Sequence, residues 1–413
     1  MTSAEHPADG TEIGHVHGHS GHAHADVATH PARGRAIEIV VGVIAVATLA
    51  GLVALWPPGD LVSDAGAIGL DSDRFSAKVT SVTEGLCSYS SPDRPQSCRA
   101  VSFTPSAGPD EGRTIELGEF NLLDPFVPDV SLGDDIVVGY EESTDTYFYA
   151  DLERRPALRW LVVLFVVGVI VLGRIRGVFA LGALAASLAI LLVFYVPAVV
   201  AGTDPTLAAM VGAATIGFVA LYATHGFGRM TTVAVGGVFI ALACTVGLAV
   251  LFFDLAAFSG GATEEAAYLP LVAESLNVRG LLLGGVVIGA LGALDDVVIT
   301  QAATVWELRH VDRTLPTRAV VASAMRVGRN HIGSIVNTLL LAYAGAATPL
   351  LVLFVLSEQS LGTIANSEIV AIEIVRTLVG SLGLLVAVPA TTWLAAWVTD
   401  TTDTTDVSDM SAA

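Results

Sequence analysis

The sequence predicts a membrane all-α bundle of about eight transmembrane helices with a small all-β extracytoplasmic domain, a barrel or a sandwich. Three observations predict it. Of 413 residues, 53% are hydrophobic and the mean hydropathy is +0.68; a soluble core cannot hide that much apolar surface, whereas a bilayer can. Mostly apolar runs of about 18 to 25 residues, the length that crosses hydrocarbon as a helix, recur at 36–56, 157–173, 177–199, 206–224, 231–253, 279–299, 332–356 and 369–398. Between the first two runs the chain changes character, with 7 Arg or Lys against 19 Asp or Glu over residues 60–155.

The order of elements follows. Residues 1–35 are a disordered cytoplasmic tail, in which His15, His17, His19, His22 and His24 alternate with small residues. Clustered imidazoles bind divalent metals, but without a scaffold any such site is weak, and no other cofactor is expected. Residues 36–56 form the first anchor. The run is long, starts some 35 residues into the chain and is followed by Trp56-Pro57-Pro58 rather than a small-residue cleavage site, so it reads as a retained anchor and not a cleaved signal peptide.

Residues 57–155 are the extracytoplasmic domain. Strand-like runs at 75–82, 99–104, 113–117, 135–140 and 146–149 are separated by turn residues. Ten residues, including Pro92 and Pro95, lie between Cys87 and Cys98; in an oxidising compartment the two are expected to form a disulfide. Cys244, inside a span, reads as a packing residue.

Residues 156–399 form the seven-helix transmembrane domain. Only Gly173-Arg174-Ile175-Arg176 separates its first two spans, which reads as a tight helical hairpin. Residues 400–413 are a disordered acidic cytoplasmic tail. The arginines set the orientation, because cytoplasmic loops collect positive charge. Arg33 and Arg35 precede the first span; with eight spans, Arg174, Arg176, Arg229, Arg309, Arg313, Arg318, Arg326 and Arg329 fall on the same side. Asp254, Glu264, Glu265, Glu274, Glu358 and Glu368 fall opposite. Both termini are therefore expected in the cytoplasm. Arg154, Arg155 and Arg159 run against the pattern.

Ionisable groups inside spans are costly and point to function. In the sixth span Gly285 and Gly289 form a G-x-x-x-G pair, extended by Gly292, that would let another helix approach closely. Asp295 and Asp296 follow. If the helix continues, Asp296, Thr300, Ala303 and Glu307 share one face, a polar stripe able to carry a cation or a proton; otherwise the acids sit hydrated at the interface or pair with the following arginines. Asp295 points about 100° away. The Arg-rich segment 309–329 reads as an amphipathic cytoplasmic surface helix. Beyond it Asn330, Ser334 and Asn337 make a second stripe, lining a path or bonding between helices. In the last span Glu373 and Arg376, three residues apart, are expected to form a structural ion pair, and Pro389 to kink the helix, with Thr391 and Thr392 able to bond freed carbonyls.

Three blocks resemble the YibE/F-like multi-pass membrane proteins of bacteria. They are Gly289-Ala290-Leu291-Gly292-Ala293-Leu294-Asp295-Asp296-Val297 running on to Trp306-Glu307-Leu308; Val327-Gly328-Arg329-Asn330-His331-Ile332 running on to Asn337-Thr338-Leu339-Leu340-Leu341-Ala342-Tyr343-Ala344-Gly345; and Glu373-Ile374-Val375-Arg376-Thr377-Leu378-Val379-Gly380-Ser381. The resemblance implies a plasma-membrane protein with an exported N-terminal domain. It matches Asp296 to the family's acid and departs from the family at Asn330, where Asp is common.

Two classes of function fit. One is a secondary transporter or ion-coupled permease for a small ion or small molecule, with Asp295, Asp296, Thr300, Glu307, Asn330, Ser334 and Asn337 as candidate ion-binding or path residues. The other is a non-transporting assembly or signalling protein whose exported domain binds a protein partner. No G-x-x-x-x-G-K-[ST] loop is present, adjacent acids on one helix do not make a facing catalytic dyad, and neither an enzyme nor a nucleic-acid binder is expected. The lipid bilayer is the one partner the composition requires.

Overall fold

The structure, a computed structural model, describes residues 27–59, 72–124, 129–262, 266, 268–270, 273, 276–357 and 359–401. The histidine cluster, Glu264, Glu265, Glu274, Glu358 and the tail from 402 onward lie outside the described residues.

The acidic segment folds as one curled antiparallel sheet of five strands, β1 (Asp73–Leu86), β2 (Ser97–Pro105), β3 (Ile115–Asn121), β4 (Asp135–Glu141) and β5 (Thr146–Leu152), in the order β3-β2-β1-β4-β5. The long β1 makes the curl possible. Its first half pairs with β4 and its second half with β2, with a register shift between Val79 and Ser81 where a bulge bends the strand. Alternation then puts Ala77, Val79, Val101, Phe103, Ile136 and Val138 on the inside. The edge strands β3 and β5 meet through their rings, Phe120 edge-on to Tyr149 at 6.4 Å between centroids. Cys87 and Cys98 are joined in a disulfide at the base of the loop that connects β1 to β2.

Helices make up the rest. They are α1 (Pro31–Ala54), α2 (Arg155–Ala189) continuing through a π-helical stretch (Ile190–Tyr195) into α3 (Val196–Val200), α4 (Pro205–His225), α5 (Arg229–Leu255), α6 (Val278–Val311), α7 (Thr317–Ala346), α8 (Thr348–Leu356), α9 (Leu361–Asn366) and α10 (Glu368–Val398). Local chemistry starts them. Pro205 opens α4 and the Asp204 carboxylate accepts from the Leu207 N–H at 2.9 Å, while Asn277 caps α6 by accepting from Gly280 N–H at 3.0 Å.

Among the described residues six helical stretches are long and apolar enough to cross a membrane, or seven if α7 and α8, bent by 66° at Ala347, act as one. The eight expected runs differ from this because 157–173 and 177–199 fall in one 46-residue stretch. That stretch is not straight. Arg174 takes φ 50° and ψ −134°, outside the helical region, and a Cβ on Gly177 would lie 2.3 Å from the Val169 carbonyl oxygen. Residues eight apart on a continuous helix are separated by about 12 Å, so the chain doubles back at Arg174, and only glycine fits at the contact.

The ends of the bundle are fixed by polar contacts. At one end His30 N–H donates to the Val398 carbonyl at 2.9 Å, Arg33 pairs with Asp400 at 3.5 Å, and Arg229 pairs with Glu38 at 3.0 Å. The starts of α1 and α5 therefore lie beside the end of α10. At the other end the Glu368 carboxylate accepts from Ser259 Oγ and from Gly260 N–H, and Arg279 pairs with Asp254. Between the ends, small residues set how close the helices come. A Cβ on Gly237 of α5 would lie 2.1 Å from Thr391 Oγ1 of α10, and one on Gly383 of α10 would lie 2.1 Å from Thr245 Oγ1 of α5.

Two expectations change here. The Arg-rich segment is not a separate surface helix, because Thr317–Ala346 is one helix whose first half buries Val320, Val321, Ala324 and Gly328. Arg309 does not project into solvent; it is buried and closes the α6–α7 turn, donating to Leu315 O at 2.6 Å and Thr317 Oγ1 at 2.9 Å. Nor do Gly285 and Gly289 seat a second helix backbone: the Tyr343 hydroxyl and the Arg376 guanidinium lie over them instead.

Candidate functional site

Because α6 runs unbroken to Val311, Asp296, Thr300, Ala303 and Glu307 do fall on one face of one helix. Their depth follows from packing. Gly328 of α7 sits against Val388 of α10 and the Gln301 amide of α6; a Cβ there would lie 2.5 Å from the Val388 side chain and 2.7 Å from Gln301 Nε2. Val388 is ten residues, about 15 Å, from the end of a 31-residue helix about 46 Å long. A hydrocarbon layer of about 30 Å centred on that helix would enclose this level by several ångströms.

There α6, α7 and α10 leave a void of about 10 Å³, room for about one water molecule. Asp296, Thr300, Gln301 and His331 line it on the polar side, with Ile335 and Leu384 among the apolar walls. Gln301 is held in place: it is 1% exposed, and its Oε1 accepts from Thr392 Oγ1 at 2.9 Å. Thr392 Oγ1 also reaches the Val388 carbonyl at 2.7 Å, so it bonds that carbonyl and not Leu385 O, the one Pro389 leaves without its helical donor. Pro389 is accommodated inside a helix that continues to Val398.

The other candidates divide by location. Asp295 is half-buried, one turn beyond Leu291, whose side chain meets Gly217 of α4. Its Oδ1 is buried with no hydrogen-bond partner among the described residues. Glu307 is exposed at the far end of the stripe, and Asn330, Ser334 and Asn337 face away from the bundle. Glu373 and Arg376 do pair, at 2.7 Å, with the guanidinium 6.0 Å from the centroid of the Tyr343 ring. Among the described residues no three His, Cys, Asp or Glu side chains gather as a metal set.

The junction therefore unites part of one predicted stripe with groups that sequence reasoning passed over. Gln301 sits as a lone amide in an apolar run, and His331 appeared only inside a motif. The signal that could have found both is helical phase: Gln301 is five residues beyond Asp296, and His331 one beyond Asn330, each on the flank that turns toward the neighbouring helix.

Over residues 161–401 the chain matches the family model described as YibE/F-like protein. The chain belongs to the YibE/F-like family. The matched segment contains the whole three-helix junction and all three sequence blocks, whereas α1 and the sheet lie ahead of it. No curated protein and no solved structure matches the chain. Membership of the YibE/F-like family and the apolar helices together fit a membrane protein.

Proposed function

We propose that this member of the YibE/F-like family is an ion-coupled secondary transporter of the bacterial plasma membrane, with Asp296 as the group that binds the coupling cation or proton. The observation that carries the reading is the void at the α6–α7–α10 junction, which exposed Asp296 and His331 line together with half-buried Thr300 and buried Gln301. A carboxylate there is too costly to keep as packing. An adjacent imidazole and hydroxyl can share a proton with it or complete a cation shell. Discontinuity also supports the reading, since α7 and α8 break by 66° and α10 carries Pro389, features that let helices rearrange around a midplane site.

The proposed topology has eight crossings, both termini in the cytoplasm and the sheet exported. It rests on the reversal at Arg174, on the meeting of α1's start with α10's end, and on the arginines at that end of the bundle.

One observation favours the second reading, a partner-binding exported domain. Leu86, Tyr89 and Leu123 are exposed together near the disulfide end of the sheet, an apolar patch on an otherwise acidic domain. Flux separates the two readings. In liposomes, proton, monovalent- or divalent-cation flux by wild type that is lost in Asp296→Asn at unchanged melting temperature is the expected result. Absence of flux for every ion in wild type overturns transport and leaves the partner reading.

A further inference from the structure

The outward face of α7 has the wrong chemistry for lipid. Gly328 and Ile332 fix which way the helix packs, and Asn330, Ser334 and Asn337 then point away from the bundle, with Gly333 on the same side. Asn330 begins within two residues of the Gly328–Val388 contact, so the three polar side chains run inward from that level through the hydrocarbon depth. Neither asparagine amide has a hydrogen-bond partner among the described residues, and neither does the Ser334 hydroxyl. Elsewhere the molecule faces outward with Val43, Val46 and Leu49 on α1 and with Leu161, Leu164 and Phe165 on α2, side chains suited to lipid tails.

We propose that this face is the seam of a parallel homodimer, with a second copy of the chain as its occupant. Three features choose a second copy. Positive-inside insertion gives all copies one orientation, so in a two-fold pair about the membrane normal each residue meets its own counterpart at the same depth. Asparagine and serine each carry a donor and an acceptor and can therefore pair with themselves, which a stripe of acids or of lysines could not. Gly333 beside them permits close approach, as small residues do at other intramembrane helix contacts. Arg326, which would meet its own copy with like charge, lies nearer the α6–α7 turn, and its side chain is turned along the helix to Ser323 Oγ at 2.9 Å.

The seam is independent of transport and is tested on the full chain in liposomes. In a Cys244→Ser background, Cys87 and Cys98 being tied in their disulfide, single Asn337→Cys and Leu164→Cys proteins are oxidised with copper phenanthroline. Asn337→Cys is expected to form covalent dimers about tenfold faster, the ratio that an interface preference of a kcal/mol or so produces; Ser334→Cys replaces it should Asn337→Cys fail to insert. Single-molecule photobleaching of the Asn330→Leu, Asn337→Leu protein is expected to fall to the two-step fraction of random co-occupancy. Equal cross-linking at 337 and 164, an unchanged two-step fraction, or labelling of 337 by a water-soluble maleimide without cross-linking would each overturn the seam.

Discussion

Along α2 the side chains turned away from the bundle are Leu158, Leu161, Leu164 and Phe165, whereas along the second half of α7 they are Asn330, Ser334 and Asn337. The two helices are of comparable length, 35 and 30 residues, and both expose much of their surface in a single chain. The difference teaches where lipid ends. Hydrocarbon selects the α2 face for free energy of transfer alone. The α7 face, and Asp296 beside it on α6, would each be penalised by lipid contact; the proposed second copy would meet the first, and the proposed ion or a water would meet the second on the side of the void.

Substitutions that exchange the two chemistries give the largest effects. Leu164→Asp places a charge where only lipid is available and should cost about 3 kcal/mol of insertion free energy on biological scales. Glycosylation or protease mapping should find most of that variant with the α2 hairpin not inserted. Asp296→Asn, at a similar depth, should insert as well as wild type, and equal loss of insertion in the two would remove the distinction. A smaller effect is expected at the junction itself. Gly328→Ala gains about 1 kcal/mol of helix propensity but overpacks Val388 and the Gln301 amide. The net loss should be about 1–2 kcal/mol, read as a lower melting temperature in detergent with the sheet unaffected.

The smallest effect lies where α2 leaves the sheet. Hydrogen bonds from Arg155, and behind them one from Ser76 Oγ, hold the Glu153 carboxyl well below its usual range, at about 2. A carboxyl whose folded value is depressed stabilises the fold at any pH above its unfolded value of about 4.5 and loses that contribution as pH falls toward 2. A carbon-13 carboxyl titration should find Glu153 ionised at pH 3. The sheet–helix joint, read by amide exchange at Ser76, should loosen progressively as pH falls from about 4.5 toward 2.

Much of this was legible in the sequence, and the exceptions share a cause. All five strands were visible because alternation in β1, β2 and β4 survives as alternation of burial, with Ala77, Val79, Val101 and Phe103 inward. The spans were visible because α1, α5 and α10 each carry an apolar stretch long enough to cross hydrocarbon. The first half of α7 was misread because amphipathicity is the same signal for a helix lying on a membrane surface and for the polar base of a spanning helix; only Val320, Val321 and Ala324 packing inward distinguishes them. Glycine spacing misled for a related reason. Gly285 and Gly289 have the expected interval, yet the contacts that exclude a Cβ are at Gly237, Gly383, Gly284 and Gly328, each set by a partner helix that local sequence does not specify. Asp296 and Thr300 could be placed by phase along one helix, but Gln301 and His331 join them only through the packing of α6, α7 and α10.

Cysteine accessibility tests most directly whether Asp296 faces polar space inside the membrane. In the Cys244→Ser background, full-length Asp296→Cys and Leu164→Cys proteins in liposomes are treated with a charged, membrane-impermeant methanethiosulfonate from both sides. The account predicts reaction at 296 from the cytoplasmic side and none at 164. Position 296 remaining as unreactive as 164 from both sides would contradict it.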